Sequence, residues 1–327
     1  MKTPPTLLSY KIILKYSILD IIDRIGVNHM DNVKRLRPEC ISCIVKGNLE
    51  KFPANTSIEK QVEYKQKLLQ IIGNARDDLS SPVISKKIKQ LQSEMFGMMD
   101  DYKEIKHHFN ELMMEFETST IKDVEQSKDP LYRAISYAMI GNYIDFGAMD
   151  SVDETYLKEL LSTASERTFD LKQYSQLEKD LQNAKKVVYI TDNCGEIVMD
   201  KVLVQTIQKL YPQANVQVLV RGYPVINDAT IDDARQVGMD TIASIVENGS
   251  DIPGTFYDYI SQEAKELLDT ADVILAKGQG NFETMRMCQK NVYYIFLCKC
   301  EMFARQFDVP RFTGILMNDK EVCRRCL

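Results

Sequence analysis

From residue 186 onward, short runs rich in β-branched and aromatic residues alternate with segments of helical periodicity. Short loops join them, which predicts a parallel sheet whose crossover helices cover both faces. The predicted strands are 186–191, 216–221, 241–246, 272–277 and 292–298, and the predicted helices include 196–210, 230–238 and 256–270. A capping signal at Thr230 and Asp233 opens the second of these helices. The expected fold class is therefore α/β, with three α/β/α layers.

The first half of the chain has a different character. Long helical patterns fill residues 40–165, for example 57–75 and 85–116, and Gly and Pro are scarce there. We therefore expect a mostly helical N-terminal region or cap over 1–165 and a sheet domain over 166–327. The spacing of apolar residues from Leu8 to Ile22 predicts an amphipathic helix, and Met30 is an alternative start.

Length and charge exclude several classes of protein. A chain of 327 residues can bury a large core in one or two domains. Its formal net charge of -6 argues against a nucleic-acid binder but leaves room for a small anionic substrate. Neither a membrane-spanning run nor a signal peptide is visible at the N-terminus, so we expect a cytoplasmic protein without a membrane partner. The eight Cys are then thiols or metal ligands. Oligomeric state stays open.

Polar and glycine-containing loops follow the predicted strands. Ligands of open parallel sheets bind outside the carboxyl ends of the strands, so these loops should share one edge. Asp192, Asn193 and Asp228 offer oxygen ligands for a hard divalent cation, and Lys277 offers a point charge for phosphate. The same residue types are common as turn formers and helix caps. The residues alone therefore predict a ligand site at this edge and leave open whether it binds a metal.

Several of these loops resemble the signature blocks of the damage-control phosphatases, the family long called domain of unknown function 89. The order and spacing of the blocks match over roughly residues 38 to 320. The blocks are T-D-N-C-G-E-I-V-M-D (191–200), P-V-I-N-D-A-T-I-D-D-A (224–234), N-G-S-D-I-P-G-T (248–255) and K-G-Q-G-N-F-E-T (277–284), and G-N-Y-I-D-F-G (141–147) resembles a further block upstream.

The resemblance implies a Rossmann-like domain with an added helical region and a phosphatase dependent on Mn, Co, Ni or Mg. Implied substrates are sugar phosphates or damaged phosphometabolites. The family's metal ligands correspond to Asp192, Asn193 and Asp228, and its phosphate-contacting lysine corresponds to Lys277. Asp192 and Lys277 are thus the expected catalytic residues. Candidate substrate-binding residues in the matching blocks are Asn142, Asp145, Gly195, Glu196, Gly249, Ser250, Asn281 and Glu283.

Two CxxC pairs lie near opposite ends of the chain, Cys40 with Cys43 and Cys323 with Cys326. Four thiolates could bind one tetrahedral zinc ion and tie the termini together. Either pair could instead be a redox site, or all four could be ordinary reduced thiols. An N-terminal CxxC also resembles the stand-alone prokaryotic branch of the family.

Other functions stay open at this stage. With His29, His107 and His108 as the only histidines, a Ser-His-Asp triad is not expected. An S-adenosylmethionine-dependent carboxyl methyltransferase would use the same edge of a similar sheet. A non-catalytic metabolite-binding protein would bind ligand without turnover. The sequence also leaves open the substrate and the choice between a water and Asp192 as nucleophile.

Overall fold

The computed structural model describes residues 36–75, 80–97, 102–146 and 152–325. For residues 323–325 it describes only the backbone. The predicted helix from Leu8 to Ile22 and the alternative start at Met30 lie outside these ranges. None of the helices that the structure describes is long and apolar enough to cross a bilayer.

A six-stranded sheet forms the centre of the described part of the chain, in the order β3-β2-β1-β4-β5-β6. The first five strands are parallel, and β6 pairs with β5 in the antiparallel direction. The strands are β1 Lys186–Ile190, β2 Asn215–Val220, β3 Ser244–Glu247, β4 Val273–Lys277, β5 Val292–Leu297 and β6 Gly314–Asn318.

The antiparallel edge strand β6 corrects the prediction that the sheet ends with segment 292–298. Its five residues contain one β-branched side chain, Ile315, and end at Asn318, directly before Asp319. That pattern is too short and too poor in strand-forming residues to stand out from a loop. The strand is stabilised by its pairing with β5, which runs from Tyr293–Asn318 to Leu297–Gly314.

Helices cover both faces of the sheet, which confirms the three-layer α/β class. They are α1 Pro38–Asn48, α2 Ile58–Gly73, α3 Ser81–Phe96, α4 Lys103–Gln126, α5 Pro130–Gly141, α6 Glu154–Ser162, α7 Leu171–Asn183, α8 Glu196–Leu210, α9 Ile231–Gln236, α10 Gln262–Asp269, α11 Gly278–Met285, α12 Glu301–Phe307 and α13 Asp319–Arg325. A capping box of Thr230 and Asp233 opens α9, as predicted.

Strand alternation divides the core into two layers. Val187 and Tyr189 face a cluster formed with α4, α5, α7 and α8, whereas Val188 and Ile190 face a second cluster formed with α10, α11 and α12. Helix α5 lies in the N-terminal half of the chain yet packs against α8 and the sheet. The helical region is therefore part of the wall around the sheet edge.

Helices α1 to α3 form a third apolar cluster with Ile252 and Phe256 of the loop that follows β3. The long helical pattern predicted for 85–116 is divided, because Gly97 ends α3 with a left-handed conformation (φ 64°).

Strand β1 lies between β2 and β4. The strands that follow β1 in the chain are therefore added first on one side of it, as β2 and β3, and then on the other, from β4 onward. That reversal opens a crevice at the carboxyl ends of β1 and β4, where a doubly wound fold binds its ligands.

Candidate active site

The loops that follow β1 and β2 are joined by backbone contacts. The amide of Ala229 donates to the carbonyl of Asp192 at 2.7 Å. Beside it, Asn193 and Asp228 form an isolated antiparallel bridge. Bridged residues have Cα atoms about 4.5–5.5 Å apart. The three side chains predicted as metal ligands therefore start from one small patch of backbone, and all three are buried.

In each of the two aspartates, one carboxylate oxygen accepts hydrogen bonds from other side chains and the other accepts none from the described residues. Oδ2 of Asp192 accepts from Nδ2 of Asn193 at 2.8 Å and from Nδ2 of Asn142 at 3.1 Å. Nδ2 of Asn193 also donates to Oε2 of Glu196 at 3.1 Å. Oδ2 of Asp228 accepts from a buried arginine. Among the described residues, the remaining Oδ1 atoms of Asp192, Asn193 and Asp228 accept no hydrogen bond.

This donor set fits a hard divalent cation. Two carboxylate oxygens and one amide oxygen are the ligands that Mg²⁺ and Mn²⁺ prefer, with water and substrate oxygens completing the shell. No group of three His, Cys, Asp or Glu side chains has metal-binding geometry in the ranges described. The candidate site is therefore this mixed set of two carboxylates and one amide.

Burial and neighbouring carboxylates both disfavour the ionised forms of Asp192 and Asp228. Burial raises the pKa of Asp192 well above its ordinary value, and the nearby Glu196, Asp228 and Asp145 raise it further. Burial also raises the pKa of Asp228, although Arg221 opposes the shift. A bound cation would favour the charged form of both groups and so remove this penalty.

Arg221 directly follows β2 and is fully buried between the two predicted carboxylate ligands. Its Nε donates to Oδ2 of Asp228 at 2.6 Å. Its Nη2 lies 3.6 Å from Oδ1 of Asp192 and makes no hydrogen bond to any described residue. Nη1 lies 3.4 Å from the hydroxyl of Thr255. The guanidinium is thus a built-in counter-ion for the pair of carboxylates.

Glu196, predicted to bind substrate, lies behind the ligands as a fully buried hub at the start of α8. Its Oε2 accepts from Nδ2 of Asn142 at 2.9 Å and from both nitrogens of Asn193. Oδ1 of Asn142 accepts from the amide of Leu297 on β5. Glu196 and Asn142 therefore orient the side chains of Asp192 and Asn193 from the side that faces the core.

Lys277 ends β4 at the predicted edge, and its side chain is fully buried. The ammonium donates to Oε1 of Glu196 at 2.5 Å, to Oδ1 of Asp200 at 2.7 Å and to the carbonyl of Ala138 at 2.9 Å. Burial lowers the pKa of this lysine, but the two carboxylates outweigh it and the net shift is upward. All three donor positions are filled, so a contact with phosphate requires the exchange of one of these bonds.

Asp200 belongs to the same buried cluster and was not anticipated from the sequence. Its Oδ1 accepts from Lys277 and from the hydroxyl of Tyr189 at 2.8 Å, while Oδ2 has no hydrogen-bond partner in the part of the chain that the structure describes. Burial raises the pKa of Asp200 to about 7, against the opposing effect of the lysine. Glu196 and Asp200 share the single ammonium group of Lys277.

At two positions of the site, neighbouring side chains lie so close to the backbone that only glycine fits. Gly278 has a φ of 78°, and a Cβ there would lie 1.8 Å from Oδ2 of Asp192. Gly195, another predicted substrate-binding residue, has a φ of 67°, and a Cβ there would lie 2.8 Å from a methyl carbon of Ile144. Its amide donates to Oδ1 of Asn110 on α4 at 2.6 Å. The helical region thus fixes the loop that carries the predicted ligands.

Asp145 lies at the opening of the same edge, half-buried, with its Oδ2 2.5 Å from Nζ of Lys299. Asn227 holds this segment in place, because its Oδ1 accepts from the amide of Phe146 and its Nδ2 donates to the carbonyl of Ile144. Gly147, the last residue of the upstream block, lies outside the described residues.

Three other predicted substrate-binding residues lie along the edge in loop-supporting roles. Asn281 on α11 uses both ends of its amide within the protein, donating to the carbonyls of Thr191 and Lys277 and accepting from Thr255. Ser250 is buried, and its amide donates to Oδ1 of Asn248. Gly249 is exposed, with a φ of 68°.

Glu283, the last predicted substrate-binding residue, lies on α11 beside the N-terminal CxxC pair. Its Oε1 accepts from Nε2 of Gln279 at 2.9 Å, and burial raises its pKa. Glu283 and Cys40 line one small cavity. The predicted four-thiolate zinc site stays a prediction, because the side chain of Cys323 and all of Cys326 lie outside the described residues.

A wide cleft of about 1100 Å³ lies between the start of α4 and the loop that follows β2. Lys106 and Thr230 line it, and Lys106 pairs with Asp233 at 2.6 Å. The cleft has room for a small molecule, but Asp192, Asn193 and Asp228 are not among the residues that line it.

Comparison with known proteins decides the family. The model of the Damage-control phosphatase ARMT1-like domain matches residues 36–313. The chain is a member of the damage-control phosphatase family. This confirms the resemblance of its sequence blocks and covers both the helical region and the sheet.

Relatives of this damage-control phosphatase family member support a phosphatase role. A protein named damage-control phosphatase from Archaeoglobus fulgidus is 30% identical over 84% of the chain and 96% of its own length. A protein from Methanocaldococcus jannaschii is 28% identical over 89% of the chain and 97% of its own length. The crystal structure of a domain of unknown function 89 family protein from Pyrococcus horikoshii superposes with a TM-score of 0.72 at 26% identity, covering 87% of this chain and 99% of that one.

The structure adds residues that the sequence analysis did not select: Arg221, Asp200, Lys299 and Asn110. Two of them had a usable signal. Arg221 is a charged residue directly after an apolar strand, and Asp200 lies in the otherwise apolar face of a predicted buried helix. Charged groups in such positions are rarely buried unless they are paired. Lys299 and Asn110 had no comparable pattern, because only tertiary contacts bring them to the site.

Proposed function

We propose that this family member is a divalent-metal-dependent phosphatase that hydrolyses small phosphate monoesters, such as sugar phosphates or damaged phosphometabolites. The observation that carries the proposal is a charge imbalance among described residues at the sheet edge. Four buried carboxylates, those of Asp192, Glu196, Asp200 and Asp228, face two buried cationic side chains, those of Arg221 and Lys277. A divalent cation would balance the excess of negative charge.

Asp192, Asn193 and Asp228 would bind the cation through their Oδ1 atoms, which accept no hydrogen bond from the described residues. Mn, Co, Ni and Mg all suit an oxygen set of this kind. When bound, such an ion supplies Lewis-acid stabilisation of the phosphoryl oxygens and lowers the pKa of a coordinated water. The protein supplies the orientation of the ligands, because Asn142 donates to the carboxylate of Asp192 and Glu196 accepts from the amide of Asn193.

Positive charge from the protein would act on the phosphoryl group beside the ion. Nη2 of Arg221 makes no hydrogen bond and is directed at the patch between Asp192 and Asp228. Lys277 could reach phosphate by exchanging its bond to Glu196 or Ala138. We propose that both groups stabilise charge that develops on the transferring phosphoryl oxygens, which is the usual task of preorganised donors in hydrolysis.

The substrate would enter along the wide cleft beside α4. Charged, polar and apolar side chains line this cleft, among them Lys106, Asp233 and Ile226. The loop with Gly249 and Ser250 is joined to the residue after Arg221, because Asn248 accepts from the amide of Gly222. A small polar metabolite suits this mixed lining better than an extended polymer. We therefore propose a small phosphorylated metabolite as the partner.

A screen tests this function. Phosphate release is measured from p-nitrophenyl phosphate and a panel of sugar phosphates, with Mn²⁺, Co²⁺, Ni²⁺ or Mg²⁺ added in turn. We expect release from several small esters with at least one of these ions. No hydrolysis with any ion, together with tight binding of S-adenosylmethionine, would replace the proposal with a methyltransferase. Ligand binding without turnover of any ester would indicate a metabolite-binding protein instead.

A further inference from the structure

Three cysteines from distant parts of the sequence lie at the same rim of the sheet edge. Cys40 and Cys43 are on α1, and Cys300 directly precedes α12. Cys40 lines a small cavity together with Glu283, Arg286 and Met302, the last of which is two residues from Cys300. Cys43 is exposed to solvent, and the other two thiols are half-buried. The rim therefore combines one accessible thiol with two sheltered ones.

Hydrogen bonds connect this rim to the predicted metal ligands. The amide of Cys300 donates to Oε1 of Gln279 at 3.2 Å, and Nε2 of the same glutamine donates to Oε1 of Glu283 at 2.9 Å. Gln279 directly follows Gly278, whose backbone lies against the carboxylate of Asp192. A change in the packing of the thiols against Glu283 would thus reach the loop that supports Asp192.

Electrostatic effects agree with this arrangement. Burial raises the pKa of Cys40 to about 11, and the neighbouring Glu283 and Cys300 raise it further. Burial also raises the pKa of Cys300, with a smaller contribution from the nearby Cys43. Sheltered thiols of this kind stay protonated at neutral pH and react slowly with oxidants. The exposed thiol of Cys43 is therefore the group that an oxidant meets first.

Helical geometry brings Cys43 within reach of Cys40. Residues three apart on a helix have Cβ atoms about 5–6 Å apart, and a disulfide needs about 3.5–4.5 Å. The pair lies in the first two turns of α1, whose cap residue Arg37 makes no side-chain capping bond. A small adjustment of these terminal turns closes the gap, and helix ends adjust more readily than helix centres.

We propose that Cys40 and Cys43 form a reversible disulfide at the rim of the active-site edge, driven by low-molecular-weight disulfides. The thiolate of Cys43 attacks a disulfide RSSR, forms a mixed disulfide and releases one RSH. The sulfur of Cys40 then attacks Sγ of Cys43 and releases the second RSH. Two electrons pass from the protein thiols to RSSR, and the two thiol protons end on the two RSH molecules.

Disulfide formation turns the sulfur of Cys40 from the cavity it shares with Glu283 toward its neighbour on α1. This changes the surroundings of Glu283, which accepts from the Gln279 side chain that is also bonded to the amide of Cys300. We expect slower turnover in the oxidised state, a consequence that rests on the proposed function. The disulfide itself does not depend on that function.

Mass spectrometry of the full-length protein tests the linkage. Protein is incubated with excess oxidised glutathione, alkylated and digested with trypsin, which does not cut before Pro38 and so leaves both thiols in the peptide spanning 36–46. We expect that peptide to lose two hydrogens and both alkylation sites, and dithiothreitol to restore them. A link from Cys43 to Cys300 or to another cysteine overturns the assignment. The assignment is also overturned if Cys40 and Cys43 remain reduced, or if the natural protein contains a zinc ion that the Cys43→Ser variant lacks.

Activity of the same samples tests the consequence. We expect oxidation to lower kcat/KM severalfold in the natural protein and in Cys288→Ser, whose thiol lies away from this rim. Cys43→Ser should keep its activity under the same oxidant. Equal activity of the reduced and oxidised protein would overturn the regulatory role and leave the disulfide intact. If no sample hydrolyses any ester, the proposed function fails. The mass-spectrometric test of the disulfide does not depend on that outcome.

Discussion

Nε of Arg221 lies 2.6 Å from Oδ2 of Asp228, and both side chains are buried at the carboxyl end of β2. An arginine in this position balances one of the carboxylates before any ion is bound. It also fixes which oxygen of Asp228 faces the patch shared with Asp192 and Asn193. The arrangement explains how a fold can hold several acidic groups together at one edge.

Arg221→Met is expected to destabilise the metal-free protein by about 3–5 kcal/mol, because it leaves a buried carboxylate unpaired. Added Mn²⁺ should recover part of this loss by balancing the same charge. Urea unfolding in chelator and in Mn²⁺ measures both effects. Arg235→Met is the control, since that arginine is exposed and should change stability little. An unfolding free energy equal to that of the natural protein would refute the counter-ion role.

Gly278→Ala is expected to abolish metal binding and turnover. A Cβ at this position would lie 1.8 Å from Oδ2 of Asp192, and the φ of 78° is unfavourable for alanine, so the carboxylate must move. Gly280→Ala, two residues along α11, is the matched control because the nearest atom to its Cβ would be 3.6 Å away. Calorimetric titration with Mn²⁺ compares the two variants. Similar affinity in both would show that the position of Asp192 is not critical.

Lys277→Met is expected to lower kcat by more than its effect on folding explains, because it leaves Glu196 and Asp200 unpaired behind the ligands and removes a phosphate donor. Lys201→Met provides the comparison. That lysine is also buried on α8, but it pairs with Glu117 and the carbonyl of Val237 rather than with Glu196 or Asp200. Turnover per folded molecule, with the folded fraction measured by circular dichroism, separates the two roles. If both variants lose the same fraction of activity, Lys277 has only a structural role.

Metal affinity is expected to weaken as pH falls. Burial and the neighbouring Glu196 raise the pKa of Asp192, and burial raises that of Asp228. A raised carboxyl pKa means that protons stay bound to higher pH, so the ion must displace them and binding releases protons. Calorimetry at about pH 5 and about pH 8, in buffers of different ionisation enthalpy, counts those protons. Affinity that does not change over this range would contradict the burial of ionised ligands.

The sequence predicted strands β1 to β5 well because runs rich in β-branched and aromatic residues, separated by helices and short loops, are local signals. Strand β1 at Lys186–Ile190 lies within the predicted segment 186–191, and the Thr230–Asp233 capping box is present. Strand β6 was missed because its pairing with β5 outweighs a weak local propensity.

In the candidate site, too, some residue positions follow from local sequence signals and others depend on tertiary contacts. The loop positions of Asp192 and Asp228 follow from topology, since the carboxyl ends of parallel strands share an edge. The engagement of Lys277 with Glu196 and Asp200 could not be predicted, because it depends on side-chain directions across β4 and α8. The roles of Asn110 and Lys299 depend on how α4 and the segment after β5 pack against the loops, which no short sequence pattern records.

The central claim is that one divalent ion, bound by Asp192, Asn193 and Asp228, is required for phosphate release. Mn²⁺ titration of metal-free protein, with binding and phosphate release measured on the same samples, tests it most directly. We predict one ion per chain, release that rises with occupancy of that site, and loss of both in Asp192→Ala. Phosphate release that persists in chelator, or that is undiminished in Asp192→Ala, would contradict the account.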